Sequence, residues 1–269
     1  MRLMHPIERL RFVARATGYP ADVIVAEAAR ALASFADDPQ GLVTACRRLV
    51  SRQPGSAPLV WLCARVLCAG DARAEIRRVL VELDEDTTST ALCHALPDGA
   101  TIVVLGWPEL IAEALPRRGD VEVLVVDTLG EGSGLVRRLL EADVEAVDVP
   151  LAGLGAAVAE AELVLLEASA VAPTEFMAVS GSRAAAAVAR HAGVPVWVVA
   201  GVGRFLPERM WTPMRAAVLC DDPWDIDDEM VPLDLIDAIV GPAGVQGVAE
   251  ALRRTDCPVA PELFKGNVL

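Results

Sequence analysis

Two carboxylates and a serine stand at the ends of apolar runs, where a parallel sheet would deliver them to one edge. Asp127 closes VEVLVVD (121 to 127), while Glu167 and Ser169 close LVLLEAS (163 to 169). A carboxylate held there can take up and return a proton, so Glu167 and Asp127 are the candidate acid/base groups. Ser169 is a poorer one, because no His or Lys neighbours it in sequence to activate its hydroxyl. A second set suits an anion. Ser180-Gly181-Ser182-Arg183 opens the run AAAAVARHAG, and a helix starting there offers free N–H groups, a partial positive charge and the full charge of Arg183. The ligand expected is a phosphate or a carboxylate. Ser180 or Ser182 acting as a plain helix cap explains the same residues, and the sequence leaves both readings open.

The elements that must position these groups follow from periodicity. From residue 97 onward, short Val-rich runs alternate with helical segments: 100 to 106, 121 to 127, 144 to 150, 163 to 169 and 194 to 201 read as strands. This alternation argues for an α/β domain, 97–269, built on a doubly wound, mostly parallel Rossmann-like sheet with ligands at the C-terminal strand ends. Residues 1–96 read instead as an N-terminal helical domain, a bundle with helices over 6 to 17, 21 to 36, 39 to 52, 57 to 69 and 72 to 94. Asp71 fits the N-cap of the last. In the second helix Val23, Val25, Ala26, Ala29, Leu32, Ala33 and Phe35 form a wide apolar stripe that neighbours must cover.

Composition bounds the function. Of 269 residues 54% are hydrophobic but only 4% aromatic, so Val, Leu, Ala and Ile fill the core. A net charge of -14 repels nucleic-acid phosphates and anionic membranes, and no direct binding to either is expected. No apolar run reaches the length of a membrane span, and the N-terminus lacks the long apolar stretch of a signal peptide, so a cytoplasmic location is expected. Six cysteines show no CxxC spacing, which fits small buried hydrophobes in a reducing compartment. No metal and no cofactor is expected. The acidic run Asp221, Asp222, Asp225, Asp227, Asp228 and Glu229 lacks calcium-loop spacing and reads as a solvated loop. Gly130-Glu131-Gly132-Ser133-Gly134 suggests a phosphate cradle, but its third glycine comes two residues after the second rather than three, against a dinucleotide fingerprint. His5, His94 and His191 are scattered, and adjacent residues such as Cys93 and His94 rarely face each other in a helix or strand, which argues against a nucleophile and base pair.

The stretch LVLLEASAVAPTEFMAVSGSRAAAAVARHAGVPVWVVAGVG, residues 163 to 203, resembles the core of one family. That family unites the alpha, beta and delta subunits of translation initiation factor 2B with methylthioribose-1-phosphate isomerase and ribose-1,5-bisphosphate isomerase. SRQPGSAPLVWLCARVL (51 to 67) and EMVPLDLIDAIVGPAGV (229 to 245) resemble further parts of it, so that the resemblance runs from roughly residue 20 to residue 247. It implies the fold described above and, for the isomerases, four functional motifs. Glu167, Ala168 and Ser169 stand where their Gly-Ala-Asp signature carries the catalytic acid. Ala178 and Val179 replace an Asn-Lys pair, while Gly181 and Ser182 keep the helix start. Asp127 and Thr128 match the first two residues of a Glu-Ser-Arg-Pro motif, and Leu129 replaces its phosphate-gripping Arg. The loop that holds a catalytic Cys is here Gly106-Trp107-Pro108-Glu109.

The resemblance therefore implies a retained scaffold without its catalytic set: a non-catalytic regulatory or assembly module that binds a small phosphorylated ligand or a protein partner, as a homodimer. The alternative is an aldose-ketose isomerase with a rearranged site, using Glu167 or Asp127 as acid/base. Ligand contacts are expected from Gly106, Trp107, Thr128 and Gly130 at the strand ends and from Ser180, Gly181, Ser182 and Arg183 at the helix start.

Overall fold

The computed structural model describes residues 20–220, 222 and 224–265. The helix expected over 6 to 17, His5 and Asp221 lie outside them. The described residues divide into two compact units, one formed by 20–86, 202–219 and 255–265, the other by Thr87–Gly201 and Cys220–Arg254.

The first unit is helical. Helix α1 (Ala21–Leu32) packs on α3 (Ala57–Cys68) and α4 (Ala72–Asp84), and α2 (Pro39–Arg52) packs on α3. Three of these helices start on a side-chain cap: Asp38 accepts from the Gly41 N–H at 3.0 Å, Ser56 from Leu59 at 3.4 Å and Asp71 from Ala74 at 2.9 Å. The buried stripe of α1 is Ile24, Val25, Ala28, Ala29, Ala31 and Leu32, whereas Val23 is exposed. The stripe expected from sequence is thus turned by about one residue, because helical burial follows the true packing face and not the bulkiest side chains. Helix α3 is the hub, with Leu59, Val60, Trp61, Leu62, Cys63 and Ala64 all fully buried. Its Arg65 lies over the Trp61 ring, 4.9 Å from the centroid, and pairs with the largely buried Glu75 at 2.5 Å and with Glu82.

The single helix expected over 72 to 94 is two, α4 and α5 (Thr88–Ala95). The break falls at Glu85-Asp86-Thr87. Acidic residues there oppose the negative end of α4, and the Asp86 carboxylate bonds instead to the Val202 N–H at 2.9 Å.

The second unit is a mixed α/β sheet. Its strands, among the described residues, are β1 (Thr101–Leu105), β2 (Glu122–Asp127), β3 (Glu145–Pro150), β4 (Leu163–Val171), β5 (Glu175–Val179), β6 (Val196–Val199), β7 (Asp228–Pro232), β8 (Ala238–Gly241) and β9 (Gly244–Gly247). The order β3-β2-β1-β4-β6-β8-β9 is parallel except for the last pair. Ile102, Val104, Val123, Val125, Leu163 and Leu165 form its buried interior with Ile111, Leu135 and Leu139 from the covering helices. Those helices are α6 (Glu109–Ala114), α7 (Gly132–Glu141), α8 (Leu154–Glu160) and α9 (Ser182–Ala192). Beyond them α10 (Glu208–Val218) returns to the first unit.

Strand β4 outruns the parallel sheet. From Ala168 onward it pairs antiparallel with β5, with a register shift between Ala168 and Ala170, and β5 pairs antiparallel with β7. The run read as a solvated acidic loop therefore ends as a strand, with Asp228 and Glu229 in β7. Packing pushes the Asp228 carboxyl above the usual carboxylate range, with Asp227 adding to it, although the residue keeps an exposed edge.

Arg118 ties the start of the sheet together. Its guanidinium donates to the carbonyls of Cys93 at 3.0 Å, Leu96 at 2.7 Å and Pro97 at 3.1 Å, and to Asp120 at 2.7 and 2.8 Å. Arg118, helped by the Gly99 N–H, holds the Asp120 carboxyl well below the usual carboxylate range. A depressed folded pKa means that the unfolded chain binds the proton first. Asp120 thus adds stability above its unfolded pKa of about 3.9, lost as pH falls toward the folded value. Urea denaturation between pH 2 and pH 6 should show Asp120→Asn less stable than the parent near neutrality and converging with it in acid; parallel curves would refute the assignment.

Candidate functional site

The expected site lies at the C-terminal ends of β1, β2 and β4, where an open α/β sheet places its ligands. Three of the residues expected to bind do converge. Gly106 follows β1 with φ 62° and donates its N–H to Val126 O at 2.9 Å. A Cβ on Gly106 would stand 3.1 Å from Thr128 Oγ1, and one on Gly181 3.5 Å from Thr128 Cγ2. Thr128 therefore sits between Gly106 and Gly181, with Leu105 and Leu151 against the same glycine. Gly181 has φ 99°, left-handed backbone that a side chain would strain. Trp107 turns away onto α7, so close that a Cβ on Gly134 would lie 2.7 Å from its ring. Gly130 is exposed, with no atom near its would-be Cβ.

Each candidate carboxylate is engaged with a helix start. Glu167 Oε2 accepts from the N–H groups of Leu110 at 2.8 Å and Ile111 at 3.2 Å. Pro108, the N-cap of α6, has no side chain able to accept, and Glu167 supplies the acceptor from β4. Asp127 Oδ1 accepts from the Gly132 N–H at 3.1 Å, which closes the glycine-rich loop at the start of α7. Ser169 stands in the β4 bulge and donates its hydroxyl to Met177 O at 3.1 Å.

The start of α9 has its own carboxylate as well. Glu229 Oε1 accepts from Gly181 N at 2.7 Å and from Arg183 N at 2.9 Å. Neither serine caps this helix. Ser180 turns to the Ile226 carbonyl at 2.8 Å, and Ser182, fully buried, leaves its Oγ without a hydrogen-bond partner among the described residues. Thr128 Oγ1 is a second such buried hydroxyl. The Arg183 side chain is exposed and forms no ion pair with a described residue.

Sequence reasoning missed Glu229, placing it in a solvated run. Its partners lie 48 and 46 residues away, and only the antiparallel pairing of β5 with β7, Ala178 opposite Glu229, brings it to α9. No local spacing marks Glu229, because Asp228–Pro232 is short and mixed in polarity. Among the described residues no group of three His, Cys, Asp or Glu side chains is placed to hold a metal ion.

Glu229 should stabilise the fold through its two charge-assisted bonds. Loss of a helix cap costs about 1–2 kcal/mol, so urea denaturation of Glu229→Ala should show a decrease of that size, and Glu229→Gln, which keeps one acceptor, a smaller one. Unchanged stability in Glu229→Ala would remove the capping role.

The family model described as the initiation factor 2 subunit family matches residues 21–217. Translation initiation factor eIF-2B from Pyrococcus horikoshii OT3 superposes with a TM-score of 0.76 at 15% identity, covering 93% of this chain and 99% of that one. The tetrameric eIF2B-beta2-delta2 complex from C. thermophilum gives 0.74 at 18% identity, over 92% of this chain and 91% of that one. For eIF2B beta from Chaetomium thermophilum the values are 0.71 and 20%, over 90% and 86%. No curated protein matches the sequence. These structures share the fold, and a family match that spans most of the chain establishes the descent: the protein belongs to the initiation factor 2 subunit family.

Proposed function

We propose that this chain is a non-catalytic member of its family, a regulatory or assembly module. The observation that carries the reading is the engagement of Glu167, Asp127 and Glu229 with helix-start N–H groups. Aldose-ketose isomerisation moves a proton between adjacent carbons, and a positioned acid/base group contributes about 10²–10⁴-fold to such a step. Glu167 and Glu229 each accept two backbone N–H groups and Asp127 one, so these oxygens are aimed at the backbone and away from the place a substrate carbon would take.

Assembly is supported by the beta and delta chains of the C. thermophilum complex, which form a tetramer with one another. A homodimer of this chain would cover apolar side chains that stand out on the second unit, Leu140, Val147 and Leu151, the last two at the open edge strand β3 and just after it. A small phosphorylated ligand is the second reading, favoured by the buried, unpartnered hydroxyls of Ser182 and Thr128 beside Gly106 and Gly181. Such a ligand would have to displace Glu229 from α9. The cytoplasm is the proposed location, supported by six free cysteines, with burial pushing the Cys257 thiol up to about 12. Among the described residues no helix is long and apolar enough to cross a membrane.

Incubation with ribose 1,5-bisphosphate or methylthioribose 1-phosphate should give no turnover above buffer. A measurable kcat that disappears in Glu167→Gln or Asp127→Asn would overturn the proposal. Light scattering at micromolar concentration should give twice the chain mass of 28.4 kDa, and monomer alone would remove the homodimer.

A further inference from the structure

We propose that a groove in the first unit binds an amphipathic monoanion, a carboxylate head on an unbranched apolar chain. The groove lies between α2, α10 and the short 3₁₀ turn Pro261–Phe264, and holds about 480 Å³. That volume is within the range of small-molecule sites, about 300–1,000 Å³. Pro54, Pro213 and Phe264 give its apolar wall an open surface, with Arg47, Arg48 and Lys265 beside them.

The charge distribution selects the head group. The chain carries 38 acidic against 24 basic residues, and Lys265 is its only lysine, yet three cations meet at this one apolar groove. Arg47 is held in place by donating Nε–H to Glu262 O at 2.7 Å. Arg48 and Lys265 are exposed and form no ion pair with a described carboxylate. A bare phosphate would leave the apolar wall wet, and a neutral hydrocarbon would leave the cations unused. An extended chain with one carboxylate meets both surfaces, and its length can lie along Pro213 and Phe264 while the head reaches Arg48 and Lys265.

Calorimetric titration of the full chain with dodecanoate, and with dodecyltrimethylammonium as the cationic counterpart of equal length, tests this. Dodecanoate should bind at one site, at least about tenfold more tightly than the cation. The double variant Arg48→Glu, Lys265→Glu should lose at least about tenfold in dodecanoate affinity. Ala217 is an exposed groove residue, so Ala217→Trp should fill the groove and abolish binding without altering the circular dichroism spectrum. No dodecanoate binding, equal affinity for the two head groups, or unchanged affinity in the double variant or in Ala217→Trp would each overturn the proposal.

Discussion

A helix start carries N–H groups that nothing within the helix can satisfy, and in the second unit those groups face the strand ends where a ligand would sit. The chain answers this constraint with its own carboxylates. Glu167 serves α6, Asp127 serves α7 and Glu229 serves α9, each from a strand rather than from the residue before the helix. The arrangement binds sheet to helix, because each charge-assisted bond joins a strand end to the element that covers the sheet. It also aims those carboxylates: an oxygen that terminates a helix faces the backbone.

The antiparallel extension makes the third of these bonds possible. The bulge at Ser169 turns β4 out of the parallel sheet, β5 follows it back, and β7 pairs along β5 so that Glu229 stands opposite Ala178. Gly181 then needs a left-handed backbone to present its N–H to Glu229 while Thr128 packs against its other side. A parallel sheet alone would leave the start of α9 open to an anion. With the extension in place, Glu229 takes the same position, and among the described residues the buried hydroxyls of Ser182 and Thr128 have no hydrogen-bond partner.

How much of this the residues announce depends on the range of each interaction. Val-rich runs such as Thr101–Leu105 and Glu122–Asp127 declare themselves as buried parallel strands, and the start of α9 at Gly181-Ser182 is plain from the alanines that follow. Strands β5 and β7 are not legible, since EFMAV and DEMVP are short, mixed in polarity and lie in or next to polar loops. Three of the residues expected at the strand ends and the helix start, Gly106, Thr128 and Gly181, do lie together. Roles were harder to read. Glu167 reaches N–H groups 57 and 56 residues away, and no local spacing distinguishes a helix-terminating carboxylate from a catalytic one. The break between α4 and α5 has the same origin, because Asp86 bonds to Val202, 116 residues further on.

The most direct test follows the amide resonances of Gly181, Arg183, Leu110 and Gly132 by NMR during titration with inorganic phosphate. If the chain's own carboxylates hold these helix starts, the four amides keep their chemical shifts while phosphate is raised well above physiological concentration. Saturable movement of the Gly181 and Arg183 resonances in the parent protein would contradict the account, since it would show an outside anion taking the place assigned to Glu229.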